Sequence, residues 1–245
     1  MSIAVPSLWL PHIASPFTKK ASFSPKDIAG LTAWFDASQI TGVADGASLA
    51  TWPDSSGNGN DATQGTAADQ PTYYKSTAGK TINGLPAVWW TSATDSLATA
   101  AFEIPLSVGT VFVVGEVPDN GQVPSLVDGI SSTNRWVVGT TANSAYCIYA
   151  GGNIIGAVPN NGAIHQFTGL FAGAATSYFR MDGIEQASGS AGTDTLTGIT
   201  LGNGPGAELD LYPDFLCEII HYDSILSSTD ISKVESYLKS KWATP

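Results

Sequence analysis

The densest cluster of oxygen-bearing side chains in the sequence is the loop Trp52-Pro53-Asp54-Ser55-Ser56-Gly57-Asn58-Gly59-Asn60-Asp61. Asp54, Ser56, Asn58 and Gly59 fall at relative positions 1, 3, 5 and 6 of a calcium loop, a spacing that turns several oxygens toward one hard cation. Position 12, where a bidentate Glu would close the cage, is Gly65, so an EF-hand is excluded. Two readings stay open. One is an incomplete calcium site through Asp54, Asn58 and Asp61, completed by carbonyls, with no soft ligand nearby to favour another metal. The other is a Gly- and Asn-rich turn whose side chains bond their own backbone.

Other reactive groups are scattered. His12, His165 and His221 lie far apart without metal-ligand spacing, and there is no Gly-x-Ser-x-Gly elbow or phosphate loop. Cys147 and Cys217 sit in apolar, strand-like runs 70 residues apart, which reads as two buried free thiols rather than a redox pair. Trp89 and Trp90 are adjacent in an apolar run, so in a strand they point to opposite faces. One belongs to a core, and the other is the candidate platform on which a sugar ring or a partner side chain stacks. Trp34 and Trp242 read as packing residues from their strand and helix phases.

The elements that must position these groups are nearly all strands. Between residues 30 and 226 short apolar or alternating runs recur, each bounded by Gly, Pro, Asn or Asp: LTAWFDA, TYYK, AVWWT, GTVFVVGEV, PSLVDGI, RWVVGTT, AYCIYA, IHQFTGLFAG, SYFRM, GIEQAS, GITLG and FLCEIIHYD. Asp182-Gly183, between two alternating runs, predicts a type I′ hairpin turn. Ser24-Pro25-Lys26-Asp27 predicts a short capped helical turn. Ser227-Ser228-Thr229-Asp230 opens an amphipathic helix over residues 229–242, with Ile231, Val234, Leu238 and Trp242 on one face. That helix is expected to cover an open edge or end of the strands. A dozen strands without helical periods between them predict an all-β, two-sheet antiparallel sandwich.

Composition fits one such domain and excludes several functions. The chain has 245 residues with 26 Gly, 14 Pro and only 13% charged residues, so Ser, Thr, Asn and Gly must build its surface. Its formal net charge of −11 repels phosphate backbones and anionic lipid, which argues against nucleic acid as a partner. No run approaches the ~18–20 apolar residues of a membrane-spanning helix.

Residues 1–29 stand apart, as an extended arm followed by the short helical turn, with the sandwich occupying 30–245. The arm carries Ile3, Val5, Leu8, Trp9, Leu10, Ile13 and Phe17, is interrupted by Pro6, Pro11 and Pro16, and has its charge, Lys19 and Lys20, after the apolar stretch. That is the reverse of a secretion signal. Seven large apolar side chains have two destinations, the chain's own domain or a neighbouring subunit. The second is the expected one, making the arm an assembly anchor.

Residues 30–71, GLTAWFDASQITGVADGASLATWPDSSGNGNDATQGTAADQP, resemble the opening of concanavalin A-like, laminin-G-like jelly-roll domains found in tailed-bacteriophage structural proteins and bacterial surface proteins. The closing stretch is similar in order: Asp182-Gly183, Thr197 to Gly202, then Glu218-Ile219-Ile220-His221-Tyr222, Leu226-Ser227 and Lys241-Trp242. The resemblance implies a jelly-roll sandwich. In its hydrolase branch one strand displays Glu-x-Asp-x-Glu, as nucleophile, helper and acid. The nearest run here is Glu208-Leu209-Asp210-Leu211-Tyr212, whose third position is Tyr and which Pro213 follows, so the acid is missing.

The expectation is therefore a non-enzymatic virion protein of a tailed phage, a capsid decoration, fibre or tail component. Its arm would join other virion proteins in a homo-oligomer whose sandwich meets a host-surface glycan, with no nucleic-acid partner and no membrane insertion. The alternative is an extracellular carbohydrate-binding or adhesion module on a bacterial surface, followed by a polysaccharide-degrading enzyme.

Overall fold

The computed structural model describes residues 22–102, 104–119, 123–141, 145–204 and 212–245. The arm residues Ile3, Val5, Leu8, Trp9, Leu10, Ile13 and Phe17 lie outside the described residues, as do His12, Glu208 and Asp210. After the capped turn Pro25–Asp27, the first strands are β1 (Leu31–Asp36), β2 (Ala47–Ser48), β3 (Thr51–Trp52), β4 (Ala62–Thr63), β5 (Thr72–Tyr74) and β6 (Ala87–Trp89). There follow β7 (Leu97–Ala98), β8 (Gly109–Glu116), β9 (Ser125–Gly129), β10 (Val137–Thr140), β11 (Ala145–Tyr149) and β12 (Asn153–Pro159). The last are β13 (His165–Phe171), β14 (Ser177–Met181), β15 (Ile184–Gly189), β16 (Ile199–Leu201) and β17 (Phe215–Tyr222), before helix α1 (Ser228–Trp242).

These strands form two antiparallel sheets. The first runs β15-β14-β13-β8-β17-β6-β5-β2, with β1 also paired to β17; the second runs β12-β11-β10-β9-β16-β7-β4-β3. The two-sheet sandwich that the strand density predicts is the observed architecture. Aromatic pairs span the layer between the sheets: Phe35 of β1 meets Trp52 of β3 at 6.1 Å, and Trp136 stacks on Phe171 of β13 at 4.6 Å. Both members of each pair are buried, and ring burial of this kind dominates core energetics.

The hairpin between β14 and β15 turns at Asp182 (φ 51°) and Gly183 (φ 78°), the two left-handed positions of a type I′ turn. Asp182 also accepts from His165 Nδ1 at 2.6 Å and from the Gln166 N–H at 3.0 Å, so the turn is tied to β13.

Helix α1 begins one residue before the expected start, with the Ser227 hydroxyl capping the Asp230 N–H at 3.1 Å, and ends at Trp242 as expected. Its position corrects the expectation of an edge cover. Ile231, Val234, Leu238 and Trp242 are buried against the outer face of the first sheet, over β8, β13 and β17. The physical reason lies in β13 and β17, which are buried along their whole length and so need cover on both faces.

Candidate functional site

The Asp54–Asp61 loop bonds to itself and to β1. Asp54 Oδ1 accepts from the Trp34 and Ser56 N–H groups at 2.9 and 2.8 Å, and its Oδ2 from the Ser56 hydroxyl and the Asn60 N–H at 2.7 and 3.0 Å. Asp61 Oδ1 accepts the Asp54 N–H at 2.8 Å. Asn58 and Asn60 each donate their amide to the Thr32 carbonyl, at 3.1 and 2.8 Å. The structure places the three proposed calcium ligands in one loop, with the Asp54 and Asp61 oxygens turned to N–H and O–H donors and the Asn58 amide donating to β1, the bonding of an Asx-type turn. Among the described residues, no group of three or more His, Cys, Asp and Glu side chains is placed to hold a metal.

The adjacent tryptophans separate. Trp90 is buried, with its ring against Gly202. Trp89 is half-buried on the outer face of the first sheet, and its indole N–H donates to the Lys80 carbonyl at 2.8 Å. Lys80 Nζ lies 3.6 Å from the centre of its ring system, and Phe215 packs against it at 4.8 Å. A resident cation thus occupies the ring that would serve as a platform.

The most elaborate polar cluster lies under α1. Glu218 of β17, fully buried, accepts from the indole N–H groups of Trp34 and Trp242, both at 2.7 Å, from the Tyr237 hydroxyl at 2.9 Å and from Lys241 Nζ at 2.8 Å. Lys241 also reaches Asp36 at 2.6 Å. Burial pushes the Glu218 carboxyl above its ordinary range, Asp36 adds to this, and Lys241 opposes both. Both oxygens of Glu218 are engaged, so this constellation fastens the helix to the sheet. Sequence phase marks Trp34 and Trp242 as packing residues; their second function as donors follows from the register of β1 on β17.

The remaining reactive groups are similarly enclosed. His221 faces the core between Trp136 and Phe102, and burial lowers its imidazole to about 3. Cys147 and Cys217 are both free and buried, and burial pushes the Cys147 thiol up to about 12.

The second sheet differs from the first because its outer face carries a groove. Trp136, Val138, Tyr146 and Ile148 point to the core, so Arg135, Val137, Cys147 and Tyr149 face outward by alternation. Register sets the neighbours: Tyr149 lies between Val137 of β10 and Asn153 of β12, and Gly139 lies between Cys147 and Ser125. A side chain at Gly139 would approach the Pro124 carbonyl to 2.4 Å, so this floor position is restricted to glycine. The groove encloses about 410 Å³, with Arg135, Thr140 and Thr141 also along it. Arg135 Nε donates to both oxygens of Asp128, at 2.9 and 3.2 Å, and Nη2 adds a further bond to Oδ2. The result is a shallow channel of hydroxyl, amide, phenol and guanidinium groups, suited to hold a hydroxyl-rich ligand by side-chain hydrogen bonds and ring contact. Outward-facing residues of β9 to β12 held no recognisable motif in the sequence, since they are single residues set by register.

No protein-family model matches the chain, and no protein of curated function matches it in sequence. Solved structures match it in fold. The binding domain of Paraclostridial mosquitocidal protein 1 superposes on 91% of this chain with a TM-score of 0.62 and 15% identity. These neighbours are all-β sandwich domains. Domain 4 of AbnA, an extracellular arabinanase from Geobacillus stearothermophilus solved with arabinotriose, covers 84% of this chain at TM-score 0.57 and 14% identity, over 98% of its own length. Trypanosoma rangeli sialidase, solved with sialic acid, covers 89% at TM-score 0.57 and 12% identity. This chain spans about half of the mosquitocidal domain's chain (56%) and about a third of the sialidase (34%). At such identities the likeness is one of fold.

Proposed function

We propose that this chain is a non-enzymatic binding module that holds a glycan in the groove on the outer face of its second sheet. One observation carries the reading: α1 closes the outer face of the first sheet, whereas the second presents a groove lined by Tyr149, Asn153, Ser125, Thr140 and Arg135. The sandwich neighbours solved with arabinotriose and sialic acid support a carbohydrate as the ligand class. A glycan array followed by calorimetry tests this. Tyr149→Ala and Asn153→Ala should each weaken binding about tenfold while leaving the melting temperature within a few degrees.

The setting we propose is a virion surface. Support comes from the resemblance of residues 30–71 and of the closing stretch to phage structural proteins, and from the apolar arm. Ser22, the first described residue, lines a groove of about 740 Å³ along α1 with Phe23 and Tyr237. Removal of residues 2–21 should abolish attachment to neighbouring chains while preserving the fold. A truncated protein that aggregates, beside a monomeric full-length chain, would make the arm part of the core. An extracellular bacterial module would use the same groove and differ in its neighbours.

A further inference from the structure

The sequence has two arginines, Arg135 and Arg180. Arg180 is committed beneath α1, where its Nε donates to Glu235 at 2.8 Å. Arg135 stands at the groove wall, its side chain a quarter exposed, while its partner Asp128 has no exposed surface. A buried carboxylate that grips Nε and Nη2 together fixes both the plane and the direction of the rigid guanidinium. One desolvated partner and one at a groove wall make a weak device for stability and a good one for positioning. The other described side chains of the groove are uncharged, including Ser125, Val137, Thr140, Tyr149 and Asn153.

Resting on the reading of this groove as a glycan site, we infer that it selects glycans bearing a carboxylate, such as uronic or nonulosonic acid units. The guanidinium of Arg135 meets the sugar carboxylate, and Tyr149 and Asn153 contact the ring. Arginine suits a carboxylate because its planar fork matches two oxygens. The formal charge of −11 repels any anion at long range, so selectivity arises from contact inside the groove, within the Debye length of about 8 Å at physiological salt.

The test uses the full chain and a panel of acidic oligosaccharides, containing galacturonic, glucuronic, mannuronic or nonulosonic acid, each beside its carboxyl-reduced counterpart. At least one acidic member should bind roughly tenfold or more tightly than its reduced form. Arg135→Gln should erase that preference. Because this variant strands Asp128, the double variant D128N/R135Q removes both charges and should show the same loss with the melting temperature preserved. Equal binding of acidic and reduced forms, or a preference that survives in the folded double variant, overturns the inference and leaves the groove a glycan site for neutral sugars. If neither set binds the folded protein, while other glycans also fail, the reading of the groove itself falls.

Discussion

Trp34 and Trp242, from the first strand and the final helix, donate their indole N–H groups to the two different oxygens of Glu218, each at 2.7 Å. Both ends of the sandwich sequence are thereby fastened to one buried carboxylate, which Lys241 shares with Asp36. Replacing Glu218 by Gln removes the negative charge opposite Lys241 and presents an NH₂ group to donors. The expected loss is about 3–5 kcal/mol, as for a buried pair deprived of one partner. Trp242→Phe keeps most of the ring and removes one donor, so it should cost less, about 1–3 kcal/mol. Urea unfolding monitored by circular dichroism measures both, and equal stability of wild type and E218Q would show that the network is energetically idle.

The neutral imidazole of His221 makes stability sensitive to acid. Its folded value, lowered by burial to about 3, lies below the ordinary 6.5. Below 6.5 the unfolded chain therefore binds the proton first, and stability falls progressively as pH drops toward 3. The groups facing it are Trp136 and Phe102, neither of which titrates. His221→Phe should flatten this part of the profile, visible as a smaller drop in melting temperature between pH 6.5 and 4. Parallel profiles for the two proteins would contradict the assignment.

Glu116 behaves in the opposite sense. Burial and the adjacent Asp214 carboxylate raise it to about 7, so the folded state holds a proton that the unfolded chain has released. Its contribution is present below about 4.5 and is lost as pH rises through 7. Glu116→Gln, which keeps the hydrogen-bonding shape without the charge, should raise the melting temperature at pH 8 and change it little at pH 5. A rise at pH 5 alone would reverse the sign and refute the account.

For the Asp54 loop, we predict one melting temperature in millimolar calcium and in chelator, because both Asp54 oxygens already accept two bonds each. Calcium bound to the folded state would raise it by mass action. Asp54→Ala should cost about 1–3 kcal/mol through the N–H groups it strands, including that of Trp34.

Legibility in the sequence followed how local each signal was. Strands such as β8 and β17 announce themselves by continuous apolar runs, and the Asp182-Gly183 hairpin by turn chemistry that two residues determine. The two-residue strands β2, β3, β4 and β7 carry no period to detect. β12 is hidden in the sequence for a different reason: Gly156 interrupts it, Pro159 ends it, and Ile155 is exposed rather than buried. Candidate sites suffered more. The polar loop is conspicuous because its residues are contiguous, yet they bond one another. The groove is assembled from outward positions on β9, β10, β11 and β12, which only register makes neighbours.

The place of β17 in the first sheet sets the order in which this protein can be made. It pairs with β8 on one side and with β6 and β1 as well, yet it follows every other described strand of the sandwich in sequence. Until it is in place β8 and β6 present unpaired backbone, a template for wrong partners. Translation that stops before Phe215 thus leaves a gap in the middle of a sheet rather than a smaller sandwich, and such fragments should collect in inclusion bodies. Strands far apart in sequence must meet before the sheet closes, and such non-local pairing is the topology that slows folding.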